Sequence, residues 1–299
     1  MRTLFRGLGA VPSPHRAWTY DGRRRLAVLT VSGLVLTVTA ACSNEPTEDP
    51  GQAKTAVSHV HALVTNPADG SLLAATHEGV FKIESGAAGL IGQGRQDTMG
   101  LAVIGPDQFY ASGHPEPSKG TSPHLGLIKS TDATKTWTTM SMEGQADFHS
   151  LAPTETGVYG YNSVTSTLMH SEDGKEWTDL LKADMYDIAA DPQDTERLLL
   201  TTQQGVQTYR RGAEPELIPE TAGIALIEWA DDSSIIGLKV DGRIVVSNDE
   251  GRSWSPAGNV KGDIEAFGAG PDAWQVATSD GIFESTDKGK TWARILDMS

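Results

Sequence analysis

Four times the chain places a Ser-x-Asp triplet a few residues ahead of a tryptophan: Ser130-Thr131-Asp132 before Trp137, Ser171-Glu172-Asp173 before Trp177, Ser247-Asn248-Asp249 before Trp254, and Ser285-Thr286-Asp287 before Trp292. Four of the seven tryptophans stand there, so the indoles follow the triplets and are not scattered. The serines are 41, 76 and 38 residues apart, and 76 is twice 38, so one unit keeps its length while losing its signature. A fixed period near 40 residues requires a fold of repeated supersecondary units. Ser and Asp in such a turn accept hydrogen bonds from nearby amides, Gly174, Gly251 and Gly289 supply positive φ, and each indole is a wide plate for packing on a neighbour.

In phase with these turns, strand-like openings recur from His59, Asp97, Asp147, Asp184, Gly223 and Gly262. Third-strand starts recur at Gly79-Val80-Phe81, Gly126-Leu127-Ile128, Gly205-Val206-Gln207, Gly242-Arg243-Ile244 and Gly281-Ile282-Phe283. Unit one has Ser85-Gly86, and unit four Tyr209-Arg210-Arg211-Gly212, where the triplet is missing. No helical period of useful length runs through residues 58 to 299. Six four-stranded units closed by radial repetition predict an all-β, six-bladed propeller over 58–299.

The turns resemble the Asp-box, or BNR repeat, of sialidase-type β-propellers. Ser247 to Trp254 and Ser285 to Trp292 match its eight-residue pattern throughout; the first turn has Thr134 in place of Gly, and the second is one residue short. The resemblance implies six blades, with each box between the third and outermost strands on the face away from the ligand. Gln96-Asp97-Thr98-Met99-Gly100, Gly113-His114-Pro115 and Asp147-Phe148-His149, with the stretch from His59 to Gly79, resemble bacterial lipoproteins labelled BNR-repeat glycosyl hydrolases. That likeness implies a glycoside hydrolase-like role. Sialidases hold the sugar carboxylate with three arginines, and here only Arg95 falls on the expected ligand face.

Residues 1–41 read as a lipoprotein signal peptide. Six arginines against Asp21 precede an apolar run from Leu26 to Ala41, which is shorter than a membrane span and ends at Cys42, the chain's single cysteine. Cys42 is the expected lipidation site, residues 42–57 are a flexible tether, and the expected location is the extracytoplasmic side of the cell membrane. Arg23-Arg24-Arg25-Leu26 leaves Sec and twin-arginine export both open. Without the leader, 18 of the 24 basic and 38 of the 39 acidic residues remain, a formal charge of −20 that argues against nucleic acid as a partner. A single thiol allows no internal disulfide, so stability must come from ring closure and packing in a monomer.

In a propeller the first strand of each blade begins on the top face, and the loop after the second strand returns there. The openings put His59, Asp97, Asp147 and Asp184 at one level, with His61, Met99, His149 and Tyr186 two residues deeper. The returning loops add His77, His114, Tyr161 and Asn162. One chemistry for this cluster is a zinc or copper site, with His59, His61 and His149 as ligands and a nearby Asp completing the set. The other is glycoside hydrolysis with Asp97, Asp147 and Asp184 as candidate catalytic carboxylates, and Arg95, His77, His114, Tyr161, Asn162 and Tyr186 holding a glycan or small ligand. His124 and His170 are expected on the ordinary surface. A non-enzymatic binding module or an envelope assembly scaffold is the alternative to an enzyme.

Overall fold

Short strands bounded by Gly, Asp and Pro turns must find partners for their backbone groups, and in the computed structural model each pairs with its neighbour in sequence. The structure describes residues 57–298, apart from 85, 119–121 and 232. The leader, Cys42 and the tether as far as residue 56 lie outside the described residues.

Blade one comprises β1 (Val60–Thr65), β2 (Leu72–Thr76), β3 (Gly79–Glu84) and β4 (Ala87–Leu90), and blade two β5 (Asp97–Gly105), β6 (Gln108–His114), β7 (Leu127–Ser130) and β8 (Thr138–Ser141). Blade three has β9 (Phe148–Thr154), β10 (Gly157–Asn162), β11 (Thr167–Ser171) and β12 (Thr178–Lys182); blade four has β13 (Asp187–Ala190), β14 (Arg197–Thr202), β15 (Gly205–Arg210) and β16 (Glu216–Leu217). Blade five runs through β17 (Ile224–Trp229), β18 (Ile235–Lys239), β19 (Arg243–Ser247) and β20 (Ser255–Asn259), and blade six through β21 (Ile264–Ala269), β22 (Trp274–Thr278), β23 (Gly281–Ser285) and β24 (Ala293–Asp297). All six sheets are antiparallel meanders, and no helix occurs among the described residues. The first strands touch in a ring: β1 meets β5, then β9, β13, β17 and β21, and β21 returns to β1. The structure is the expected six-bladed propeller.

Hydrophobic burial is arranged by radius. Second strands such as β2 and β22 are buried at every position, whereas the outermost β4, β8 and β16 are largely exposed. The core is therefore six wedges, one per blade interface. The wedge between blades six and one joins Ala266, Ile282 and Leu296 to Val60, Leu63 and Phe81, and it includes Val57, which the sequence assigns to the tether. First-strand amides that face the channel find acceptors on adjacent blades: Phe148 N donates to Ser112 Oγ (2.9 Å), Ile188 N to Ser150 Oγ (3.2 Å) and Ile227 N to Asp187 Oδ2 (3.0 Å).

Each Ser-x-Asp turn joins a third strand to a fourth. The serine hydroxyl donates to the aspartate, as from Ser285 Oγ to Asp287 Oδ1 (2.8 Å), and accepts from the left-handed residue, as from Gly289 N (2.8 Å). Thr134 takes that role in the first turn with φ of 64° and its amide on Ser130 Oγ at 3.0 Å. The indoles lie half-buried in the wedges, where Trp254 and Trp292 each donate Nε1 to a turn carbonyl at 3.0 Å and Trp177 stacks on Phe148 at 4.5 Å.

Candidate functional site

Strand register decides which side chains meet at the top face. Val60 pairs with Thr76, Thr98 with Gly113 and Phe148 with Asn162, so in blades one to three the residues just above these pairs are His59 and His77, Asp97 and His114, and Asp147 and Ser163. Gly113 is required for this closeness: a Cβ there would fall 2.0 Å from the Asp97 carbonyl oxygen.

The first cluster joins blades one and two. Asp97 Oδ1 lies 3.2 Å from His61 Nε2 and 3.0 Å from His77 Nδ1, and the two imidazole nitrogens are 3.2 Å apart. Although both nitrogens are this close, Asp97 Oδ1 is buried and makes no hydrogen bond of acceptable geometry. Bonds of about 2.0–2.1 Å to a tetrahedral ion space its ligands roughly 3.3 Å apart, so the triangle has the size of one face of a zinc-type site. The His61 side chain is 8 % exposed, and burial, partly opposed by Asp97, lowers its pKa to about 4. Neutral imidazole is the form that binds metal. His59 lies edge-on to His61 at 4.9 Å, but its Nδ1 is paired with Glu265 at 2.9 Å.

A second cluster joins blades two and three, where His114, His124 and Asp147 offer ligand atoms within 4.8 Å of one another. His114 Nε2 is 3.4 Å from Asp147 Oδ2, and His114 Nδ1 is 3.0 Å from the Pro123 carbonyl oxygen. His149 Nε2 bonds Asp147 Oδ2 at 2.8 Å, and Ser163 Oγ donates to the same oxygen at 3.2 Å. Burial alone would raise the Asp147 pKa, but the His149 hydrogen bond and the charges of His149 and His114 bring it below the ordinary carboxylate value.

These distances change several expectations. The set His59, His61 and His149 is not brought together: His77 and Asp97 join His61, while His59 turns to Glu265 and His149 to Asp147. His124 belongs to the second cluster, and His170 is buried against Tyr159 and Arg211, so neither is an ordinary surface residue. Tyr161 lies buried in the wedge between blades three and four, and buried Asn162 accepts from the Asp147 amide at 3.2 Å. Asp184, Tyr186 and Arg95 are exposed, outside both clusters.

The other end of the channel holds two carboxylic acids that sequence reasoning missed. A cavity of about 1000 Å³ is lined by Leu63, Leu101, Leu151, Asp187, Glu228 and Gly268, one residue from each first strand. Asp187 accepts from Ser150 Oγ, Ile188 N and Ile227 N, yet burial outweighs these bonds and raises its pKa to about 6. Burial, together with the Asp187 charge, pushes Glu228 well above the usual range. The available signal was an acid within the otherwise apolar strand Ile224–Trp229.

No protein-family model matches the chain, and no curated protein does. Its backbone is similar to solved structures. YCF48 from Cyanidioschyzon merolae matches at a TM-score of 0.53 and 10 % identity, over 77 % of this chain and 95 % of that one. YCF48 bound to D1 peptide matches at 0.51 and 13 %, over 80 % and 83 %. The GH74 enzyme of Niastella koreensis matches at 0.54 and 17 % over 81 % of this chain, which spans 38 % of that enzyme. At these identities the likeness shows the β-propeller fold.

Proposed function

We propose that this chain is an exported, lipid-anchored Asp-box propeller that binds a transition-metal ion, zinc or copper, at its top face through His61, His77 and Asp97. The observation that carries the reading is the convergence of two imidazole nitrogens, 3.2 Å from each other, to 3.0–3.2 Å from a carboxylate oxygen that lacks a hydrogen bond. Two imidazoles and a carboxylate suit a borderline divalent ion, and three protein ligands leave a fourth position for water or a ligand. Metal analysis of the native protein tests this: about one equivalent that is lost in His61→Ala supports the reading, and metal-free native protein whose affinity for added zinc is unchanged by His61→Ala refutes it. The leader and Cys42 support the anchor, and Cys42→Ser is expected to release the protein or leave unprocessed precursor.

A glycoside hydrolase-like role is the second reading, and the acids of the channel favour it. Asp97 and Asp147 are each in contact with histidine, whereas burial and the Asp187 charge push the Glu228 pKa up in a cavity large enough for a sugar. Glycan hydrolysis abolished by Glu228→Gln and retained in His61→Ala would move the working site to that end.

A further inference from the structure

We propose that His114, His124 and Asp147 form a second metal site, taking the same class of borderline divalent cation, so that the protein holds two ions one blade apart. The inference rests on the reading of the first cluster as a metal site. Register supports it, because His77 and His114 close the second strands of successive blades while Asp97 and Asp147 open the first strands that follow. The pattern stops at the next step, where Ser163 stands in the histidine position. Asp97 and His114 pair across one hairpin, which puts a ligand of each site about 5 Å apart at Cβ.

Hydrogen bonding points the same way. The Pro123 carbonyl can only accept, so His114 Nδ1 carries a hydrogen. That leaves His114 Nε2 as the atom turned toward Asp147 Oδ2, 3.4 Å away, which places both on the site. A backbone carbonyl behind a histidine is the usual outer support of a metal ligand. Asp147 is 3 % exposed, and its Oδ1 has no hydrogen-bond partner; neither has the buried Nδ1 of His124. His149 bonds Asp147 and is a positioning residue for this site.

The full chain, purified in detergent and stripped with chelator, is titrated with zinc against a chromophoric competitor, and its cobalt-loaded form is followed by visible absorption. Two equivalents are expected for the parent protein, one for His77→Ala and one for His114→Ala with His124→Ala. His149→Ala should retain two, with the second bound roughly 10- to 100-fold more weakly. Matching melting curves of the metal-free forms show that each variant is folded, and His114→Gln with His124→Gln serves if the alanine pair is not. A single equivalent, lost in His77→Ala and unchanged in the His114/His124 pair, overturns the second site alone. No zinc bound at all overturns both sites.

Discussion

The two ends of the central channel are built from the same six strands and carry opposite chemistry. At the top, imidazoles crowd two carboxylates, burial keeps the His61 pKa low and the histidines around Asp147 keep its pKa low. Toward the bottom, burial dominates, the cavity is about 1000 Å³, and its acids are pushed toward the protonated form. Partners at hydrogen-bond distance can outweigh desolvation, as they do for Asp147; for Asp187 three donors do not suffice. The top thus presents imidazoles beside carboxylates, and the bottom acids biased toward their neutral form.

The strongest test of this contrast is Asp97→Ala, which should weaken zinc binding at the first cluster by at least about 100-fold while leaving the melting temperature of the metal-free protein nearly unchanged. An equally large loss of stability would make Asp97 a structural residue. At the other end the sign is set by Asp187. Its folded pKa of about 6 lies above the ordinary 3.8, so its contribution to stability is full below about pH 4 and is lost as pH rises through 6, on the order of 3 kcal/mol. Urea midpoints across pH 4–7 should show this decline in the parent protein and a smaller one in Asp187→Asn, where Glu228 remains; parallel curves would contradict it.

Smaller effects separate scaffold from site. Trp292→Ala removes a half-buried plate from the wedge between blades five and six and should cost about 2 kcal/mol in denaturant unfolding, with zinc uptake unchanged. Thr134→Gly should stabilise by about 1 kcal/mol, because a β-branched residue at φ of 64° is strained and its buried hydroxyl has no partner. Its effect on zinc should be nil.

The propeller was legible because Ser130, Ser171, Ser247 and Ser285 mark one turn at a fixed period, and a period dictates stacking whatever the side chains between. His61, His77, His114, Asp97 and Asp147 were legible as a top-face group for the same reason. Their partnerships were not, since ligand sets depend on register within each hairpin and on loops outside the repeat, such as the one that delivers His124. Glu228 escaped because strand alternation gives a side chain's direction without telling a wet channel from a dry one.

Among the described residues each blade is one uninterrupted stretch of chain, and no strand of the last blade completes the first. Contacts between blades six and one close the ring: Glu265 binds His59 and accepts from the Val60 amide, and Gly268 leaves room for the Leu63 carbonyl, which a Cβ would approach to 2.6 Å. Such a molecule resembles a bracelet with a clasp between its first and last links. Circular permutants cut between any two blades keep every sheet intact, and a methyl added by Gly268→Ala acts as a wedge in the clasp.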